Sequence, residues 1–119
     1  MDWALDKDRP ICPQLCEIIC VKIASGEVKA GDRLRSVREL AVEAGINPNT
    51  VQKTYEELER MGLIYSARGS GWYVGDDTSA AKKAVDDLVT SKTSYYFSEM
   101  KKMGFDMEST KKYVEEWGK

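Results

Sequence analysis

The sequence contains no histidine and no long run of apolar residues. Without histidine the chain lacks the commonest general base and a frequent metal ligand, which argues against an enzyme and against a metal site. No apolar segment approaches the roughly 18 residues that a membrane-spanning helix needs. The first ten residues are acidic and carry little apolar surface, unlike a secretory leader, so we expect a cytoplasmic protein with no membrane partner.

The formal net charge is only −2 over 119 residues, with 32% charged and 42% hydrophobic residues. This composition is typical of a globular protein with one or two small domains. The distribution of charge matters more than its sum, and arginine, a good ligand for phosphates and guanine edges, is confined to the first 68 residues. Chance in so small a sample explains this segregation equally well. The arginines are Arg9, Arg33, Arg35, Arg38, Arg60 and Arg68.

Three helices are predicted before residue 62. Apolar residues at helical spacing indicate a first helix over 12–25. Ser36 and Glu39 have the spacing of a capping box, which predicts a second helix over 37–44. Asn47, followed by a proline, is a typical N-cap and predicts a third helix that ends before Gly62. The apolar sides of the second and third helices are expected to contain Val37, Leu40, Ala41 and Ala44, and Val51, Tyr55, Leu58 and Met61.

A β-hairpin and two further helices are predicted in the rest of the chain. The strands Leu63–Ala67 and Trp72–Val74 flank a glycine-rich tip. A long helix follows to Met103, and Asp106 caps a last helix that reaches Trp117. An extended lead-in is expected over residues 2–5. The predicted fold class is mostly α with a small β-hairpin (α+β): a winged helix-turn-helix domain over residues 1–75, then a short two-helix dimerisation tail over 76–119.

The third helix is the candidate DNA-recognition helix. Asn49, Gln52 and Lys53 lie opposite its apolar side, in the first turns that such a helix inserts into the major groove. Asparagine and glutamine match the adenine edge, and lysine reaches a phosphate or a guanine. An ordinary solvated surface would carry the same residue types, so both interpretations stay open here.

Two further positions are candidates for backbone contacts. Arg38 lies one turn into the preceding helix, which crosses the DNA backbone in this motif, although a surface ion pair with Glu39 or Glu43 is the alternative. Arg68 and Gly69 lie at the hairpin tip, where arginine can enter a narrow minor groove, although any hairpin needs glycine. The complete set of predicted DNA contacts is Arg35, Ser36, Arg38, Asn47, Asn49, Thr50, Gln52, Lys53, Arg68 and Gly69.

Five segments together resemble the GntR family of bacterial transcription regulators. They are Gly31–Leu34, Ser36–Ala41, Asn47–Val51, Leu58–Leu63 and Arg68–Gly71, in the order and spacing of that family, and they cover about residues 10–75. The Asn-Pro-Asn-Thr-Val run and the short tail are similar to the YtrA-like subfamily. The resemblance implies a winged-helix domain, a small two-helix dimerisation region and operator binding as a homodimer. It also implies DNA contacts from Arg38, the first turns of the recognition helix and the wing.

The chain departs from this family pattern at three places. Arg35 stands where the family usually has proline, which would add a phosphate contact or loosen the loop before Ser36. Pro48 stands where many relatives outside the subfamily carry arginine, so base readout must shift to its neighbours. Trp72 and Tyr73 replace a smaller Thr-Phe pair, which would enlarge an aromatic patch under the wing.

The tail after residue 78 is too small to fold alone, so we expect it to pair with a second copy of the chain. Its aromatic and methionine side chains form the dimer core or, as the alternative, line a pocket for an unknown small-molecule effector. No cofactor is expected. The predicted dimerisation residues are Val85, Leu88, Tyr95, Tyr96, Met100 and Met103.

Three cysteines, Cys12, Cys16 and Cys20, recur every four residues along the first helix. They are either small buried apolar residues or a thiol sensor for redox state or a soft metal. No Cys-x-x-Cys spacing is present, and a disulfide would be unusual in the cytoplasm.

The function that the sequence favours is an operator-binding regulator, with repression as the expected sign. One alternative is a thiol-responsive or metal-responsive regulator that uses these cysteines. The other is a winged helix that only assembles proteins, which the negative net charge would suit.

Overall fold

The computed structural model describes residues 3–119, and in this range the chain forms five helices and one antiparallel pair of strands. The predicted fold class is confirmed, and the predicted ends of the elements agree with the structure to about one residue. The lead-in is not a strand from Trp3 onward, and its residue 2 lies outside the described range. The elements are α1 (Ile11–Ala24), α2 (Val37–Ala44), α3 (Pro48–Arg60), β1 (Ile64–Ala67), β2 (Gly71–Val74), α4 (Ser79–Lys102) and α5 (Met107–Trp117).

Helix α1 contributes one buried side to the winged-helix core. Its residues Leu15, Ile19 and Ile23 recur at helical spacing and are almost fully buried. Burial of each such side chain stabilises the fold by about 1.5–3 kcal/mol relative to exposure. Among the described helices, none is long and apolar enough to cross a membrane.

The helix-turn-helix forms as its capping residues predict. The Ser36 hydroxyl accepts a hydrogen bond from the Glu39 backbone N–H at 3.1 Å, and the Glu39 carboxylate accepts one from the Ser36 N–H at 2.9 Å. Gly45 ends α2 in the left-handed conformation, with φ +69°. Asn47 then starts α3, because its side-chain oxygen accepts from the Asn49 N–H at 2.8 Å.

The N-terminal segment is hydrogen-bonded to the turn between α2 and α3. The Lys7 ammonium donates to the carbonyl oxygens of Ala44 and Gly45, at 3.4 and 2.8 Å. These carbonyls lie at the C-terminal end of α2, where a helix favours positive charge. Trp3, only 9% exposed, packs in the core and donates its indole N–H to Glu43 at 3.3 Å.

Residues 31–34 pair with the hairpin, a contact that the sequence did not predict. Arg33 forms an isolated bridge with Tyr73 of β2, and the neighbouring Leu34 N–H donates to the Trp72 carbonyl at 2.9 Å. The β1–β2 register itself pairs Tyr65 with Tyr73, whose rings stack at 5.8 Å. Residues 31–34 therefore form an edge of the wing rather than only a turn.

Tyr55 of α3 connects the core to both neighbouring elements. It is 1% exposed, its hydroxyl donates to the Arg35 carbonyl at 2.6 Å, and its ring lies 5.5 Å from the ring of Trp72. Burial raises the pKa of Tyr55, so the hydroxyl stays a neutral donor at physiological pH.

Two expectations about the apolar sides of α2 and α3 are corrected. Met61 is 36% exposed because it is the C-cap residue of α3, beyond the last buried turn. Thr54, which the sequence did not assign to the core, is fully buried, and its hydroxyl is satisfied by the Thr50 carbonyl at 2.8 Å. Val37 and Ala44 are half-buried at the edge of the core.

The chain divides into two compact units, one ending at Val85 and the other spanning Asp86–Lys119. The sequence placed the boundary earlier, at residue 75. The first unit continues into α4 because Ala81 is fully buried in the winged-helix core and Ala84 packs against it. Small side chains at this spacing allow the start of α4 to approach that core closely.

The second unit has a small interior. Asp106 caps α5 by accepting from the Ser109 N–H at 2.8 Å, and these hydrogen bonds lower the pKa of its carboxyl group. Thr110 is buried and bonds the Asp106 carbonyl at 2.7 Å, and Met100 is 7% exposed. Large apolar side chains of this unit remain exposed, namely Val89, Tyr95, Tyr96, Met103, Phe105, Met107, Tyr113, Val114 and Trp117.

Replacing Tyr55 with phenylalanine is expected to destabilise the protein by about 1 kcal/mol, because the Arg35 carbonyl loses its partly buried donor. Urea unfolding followed by circular dichroism measures the change. Tyr65→Phe on the exposed side of β1 is the matched control and should leave the unfolding free energy nearly unchanged. An equal loss in the two variants would contradict this role for Tyr55.

Candidate nucleic-acid interface

The first turns of α3 present a polar edge. Asn49, Gln52 and Lys53 are exposed, while Val51 and Tyr55 on the other side are buried. The helix therefore has one side fixed in the core and one side open to a ligand. The Gln52 amide donates to Glu56 one turn later at 3.4 Å, a long hydrogen bond that a better partner can replace.

Asn47, Ser36 and Thr50 lie beside this edge but have other tasks. The Asn47 side-chain oxygen is used by the helix cap, so only its amide N–H₂ remains for a base. The Ser36 hydroxyl accepts in the capping box and also interacts with the Glu39 carboxylate. Thr50 is half-buried, and its carbonyl accepts from Thr54. Sequence reasoning could name these residues but not how much of each is committed to the fold.

Arg35 is held in place by an ion pair and by a backbone hydrogen bond. Its guanidinium forms an ion pair with Glu43 of α2 at 3.1 Å, and the same carboxylate accepts from the Trp3 indole. Its carbonyl accepts from Tyr55, so this loop is fixed at both backbone and side chain. The Arg35 side chain is 62% exposed, and an exposed pair of this kind is worth only about 0–1 kcal/mol. A phosphate can therefore compete for it.

Arg38 is exposed on α2, and within residues 3–119 it forms no salt bridge with Glu39 or Glu43. Both carboxylates have other partners. The Ser36 backbone N–H and hydroxyl lower the pKa of Glu39, with a smaller contribution from nearby arginines including Arg35. The ion-pair alternative for Arg38 therefore has no support in the structure.

The wing tip carries Arg68 and Gly69, both exposed. Arg33 adds a cation that sequence reasoning missed as a site residue. Its side chain lies along the hairpin and donates to the Ser70 carbonyl at 3.2 Å, while its guanidinium lies against Gly71. Arg33 joins the hairpin through one bridging pair, which is too short to produce the alternating polar and apolar pattern of a strand. The only signal in the sequence was the arginine of the Gly31–Leu34 segment.

The segregation of arginine toward the N-terminus overstates the number of cations available to DNA. Arg9 pairs with Asp6 at 3.0 Å, and Arg60 pairs with Glu57 at the far end of α3. Both pairs join residues three apart and are local. The exposed arginines near the recognition edge and the wing are Arg33, Arg35, Arg38 and Arg68.

The predicted dimerisation residues differ in exposure. Tyr95 and Met103 are 68% and 66% exposed, whereas Met100 is 7% exposed and leaves little surface for a partner. Val85 and Leu88 are half-buried. Tyr96, with 38% exposure, also lines a groove of about 710 Å³ within the second unit. The other apolar residues of that groove are Phe97, Tyr113, Val114 and Trp117.

Replacing Gly71 with alanine is expected to lower the unfolding free energy by about 1–3 kcal/mol. Its φ of +113° is strained for an L-residue, and the added Cβ would lie 3.2 Å from the Arg33 Nε. Gly69→Ala in the same hairpin is the control, because φ there is +71° and no atom lies within 4 Å of the new Cβ. Urea unfolding of both variants tests the difference, and equal losses would contradict the additional strain and close contact assigned to Gly71.

Comparison with known proteins identifies the family of this chain. A family model described as bacterial regulatory proteins of the gntR family matches residues 14–74. The chain is 32% identical to the HTH-type transcriptional regulator YhcF of Bacillus subtilis, covering 91% of this chain and 89% of YhcF. It is 33% identical to the HTH-type transcriptional repressor YtrA of the same organism, covering 90% of this chain and 83% of YtrA.

Solved structures agree with the fold. A GntR family transcriptional regulator from Listeria monocytogenes superposes with a TM-score of 0.83 at 37% identity, covering 93% of this chain and 97% of that one. The DNA-binding domain of AraR in complex with operator ORX1 superposes with a TM-score of 0.54 at 27% identity, covering 60% of this chain and 88% of that one. The resemblance seen in the sequence is thereby confirmed, and the chain belongs to the gntR family of bacterial regulatory proteins.

Proposed function

We propose that this protein represses transcription by binding a roughly palindromic operator as a homodimer, with α3 of each copy in the major groove. The observation that carries the proposal is the exposed polar edge of α3, whose opposite side is locked in the core. Two relatives support it: YtrA is a transcriptional repressor, and the AraR domain is solved on an operator. A protein with this task works in the cytoplasm, where bacterial DNA lies.

The recognition edge divides into base contacts and backbone contacts. Asn49 and Gln52 read base edges, with help from the Asn47 amide, because their paired donors and acceptors suit adenine. The α3 N-terminus adds unpaired backbone N–H groups that favour an anion. The side chains proposed to contact phosphates are Arg35, Ser36, Arg38, Thr50 and Lys53, and the wing contributes Arg68 and Gly69 beside Arg33.

The second unit supplies the dimer contact. A single chain rarely leaves so many large apolar side chains open to water, and here they include Tyr95, Met103 and Trp117. A second copy presents the same surface, so a twofold axis would bury both. Two recognition helices related by such an axis match two half-sites of a palindrome. An effector that enters the groove of this unit is the competing use of the same apolar surface.

Selection of bound duplexes from a random pool identifies the operator, and two variants then test the assignment of roles. Arg38→Ala is expected to weaken binding to all sequences and to reduce the slope of log K against log salt by about one. Gln52→Ala is expected to relax the preference for one base pair, which a good bidentate contact favours by about 1–3 kcal/mol. Fluorescence anisotropy on labelled duplexes measures both.

Arg60→Ala is the matched control for Arg38→Ala, because Arg60 pairs with Glu57 at the other end of the same helix-turn-helix. It should bind DNA as the wild-type protein does. Normal binding by Arg38→Ala, or an equal loss in Arg60→Ala, would overturn the docking of α2 across the backbone. A protein that only assembles other proteins would show no steep loss of duplex binding with salt.

The dimer is tested by placing a charge on the exposed face of α4. Tyr95→Glu is expected to shift the protein from dimer to monomer in sedimentation velocity and to weaken operator binding. Val21→Glu is the control, because Val21 is 44% exposed on α1, outside the second unit and outside the proposed DNA contacts. A dimeric Tyr95→Glu variant, or a monomeric wild-type protein at micromolar concentration, would rule out dimerisation through this face.

A further inference from the structure

Two cysteines of α1 contact the centre of the recognition helix. The Thr54 hydroxyl lies 3.4 Å from the Cys12 Sγ, and the Cys16 thiol donates to the Thr54 carbonyl at 4.0 Å. Thr54 is fully buried in the middle of α3, two residues after Gln52. Any change at these two sulfur atoms therefore acts directly on the backbone that carries the DNA-reading edge.

Cys12 and Cys16 lie one turn apart on α1, so their side chains are neighbours on the same side of the helix. Both residues are half-buried. Burial, with the neighbouring Cys12 next in importance, raises the pKa of the Cys16 thiol to about 12. Cys20, one turn further along, is buried.

A soft metal ion is the ligand that suits such a pair. Thiolates select soft ions such as Cu(I), and the ion displaces the thiol protons when it binds. Within residues 3–119 no group of three or more histidine, cysteine, aspartate or glutamate side chains is placed to hold a metal. A pair of cysteines supplies two ligands, which suits an ion that accepts two ligands better than zinc, which takes four in structural sites.

We propose that Cys12 and Cys16 form a two-thiolate binding site for a soft monovalent ion of the Cu(I) class, and that its occupation weakens DNA binding through Thr54. On binding, two S–H bonds break, two metal–sulfur bonds form and two protons leave to solvent. The resulting bis-thiolate carries one negative charge. The effect on DNA rests on the proposed function, whereas the binding site itself does not.

The change of charge explains the coupling to α3. The Cys16 thiol no longer donates to the Thr54 carbonyl, so an attraction at 4.0 Å becomes a repulsion between a negative sulfur and a carbonyl oxygen. The middle of α3 must move away from α1, and the register of Asn49 and Gln52 on DNA changes with it.

The test uses the full chain, reduced and free of oxygen, with Cu(I) as the probe. Competition with a Cu(I) chelator gives the stoichiometry, and ultraviolet absorption of the copper–thiolate bond gives a signal independent of DNA. We expect one ion per chain in the wild-type protein and in Cys20→Ser. We expect none in Cys12→Ser and in Cys16→Ser. Circular dichroism confirms that each variant is folded.

Duplex binding measured with and without Cu(I) tests the second half of the proposal. We expect the wild-type protein and Cys20→Ser to lose affinity by about five- to 150-fold, the usual range of coupling between two sites. Cys12→Ser and Cys16→Ser should not respond. Copper binding that survives in either of these two variants, or that is lost in Cys20→Ser, overturns the site.

Two other results distinguish the proposed copper site from the proposed operator binding. Copper bound at Cys12 and Cys16 without any change in duplex affinity overturns the coupling through Thr54. Metal-free protein that binds no selected duplex overturns the proposed function, while the copper stoichiometry still decides the site.

Discussion

The burial of Tyr55 is the constraint on which the arrangement of the first unit depends. A phenol can enter an apolar core only when its hydroxyl finds a partner, and here the partner is the Arg35 carbonyl at 2.6 Å. The same ring packs near Trp72 of the wing. One side chain of α3 thereby fixes the loop before α2 and the hairpin after α3, so the recognition edge, the crossing helix and the wing keep a defined geometry.

This constraint also holds the loop that carries Arg35. The Tyr55 hydroxyl donates to the Arg35 carbonyl, and the Arg35 guanidinium pairs with Glu43, which also accepts from the Trp3 indole. Tertiary contacts thus hold this loop and keep a guanidinium beside the recognition edge.

Sequence reasoning succeeded where the determinants are local. The caps at Ser36 and Asn47 fixed the helix starts, and the 3.6-residue period showed which face of α3 is exposed. It failed where a distant partner decides. Thr54 is buried because the cysteines of α1 and its own helix satisfy it, and Arg33 joins the wing through one long-range bridge. Neither partner is visible in the residue's own neighbourhood.

The contact of Lys7 with the end of α2 has a consequence for protein engineering. The carbonyl oxygens of Ala44 and Gly45 accept hydrogen bonds from the positively charged ammonium group of Lys7, nearly forty positions earlier in the chain. A chimaera that transplants only the helices and the wing would leave that helix end uncompensated and would remove Trp3 from the core. The transferable module of this protein therefore includes the irregular peptide that precedes its first helix.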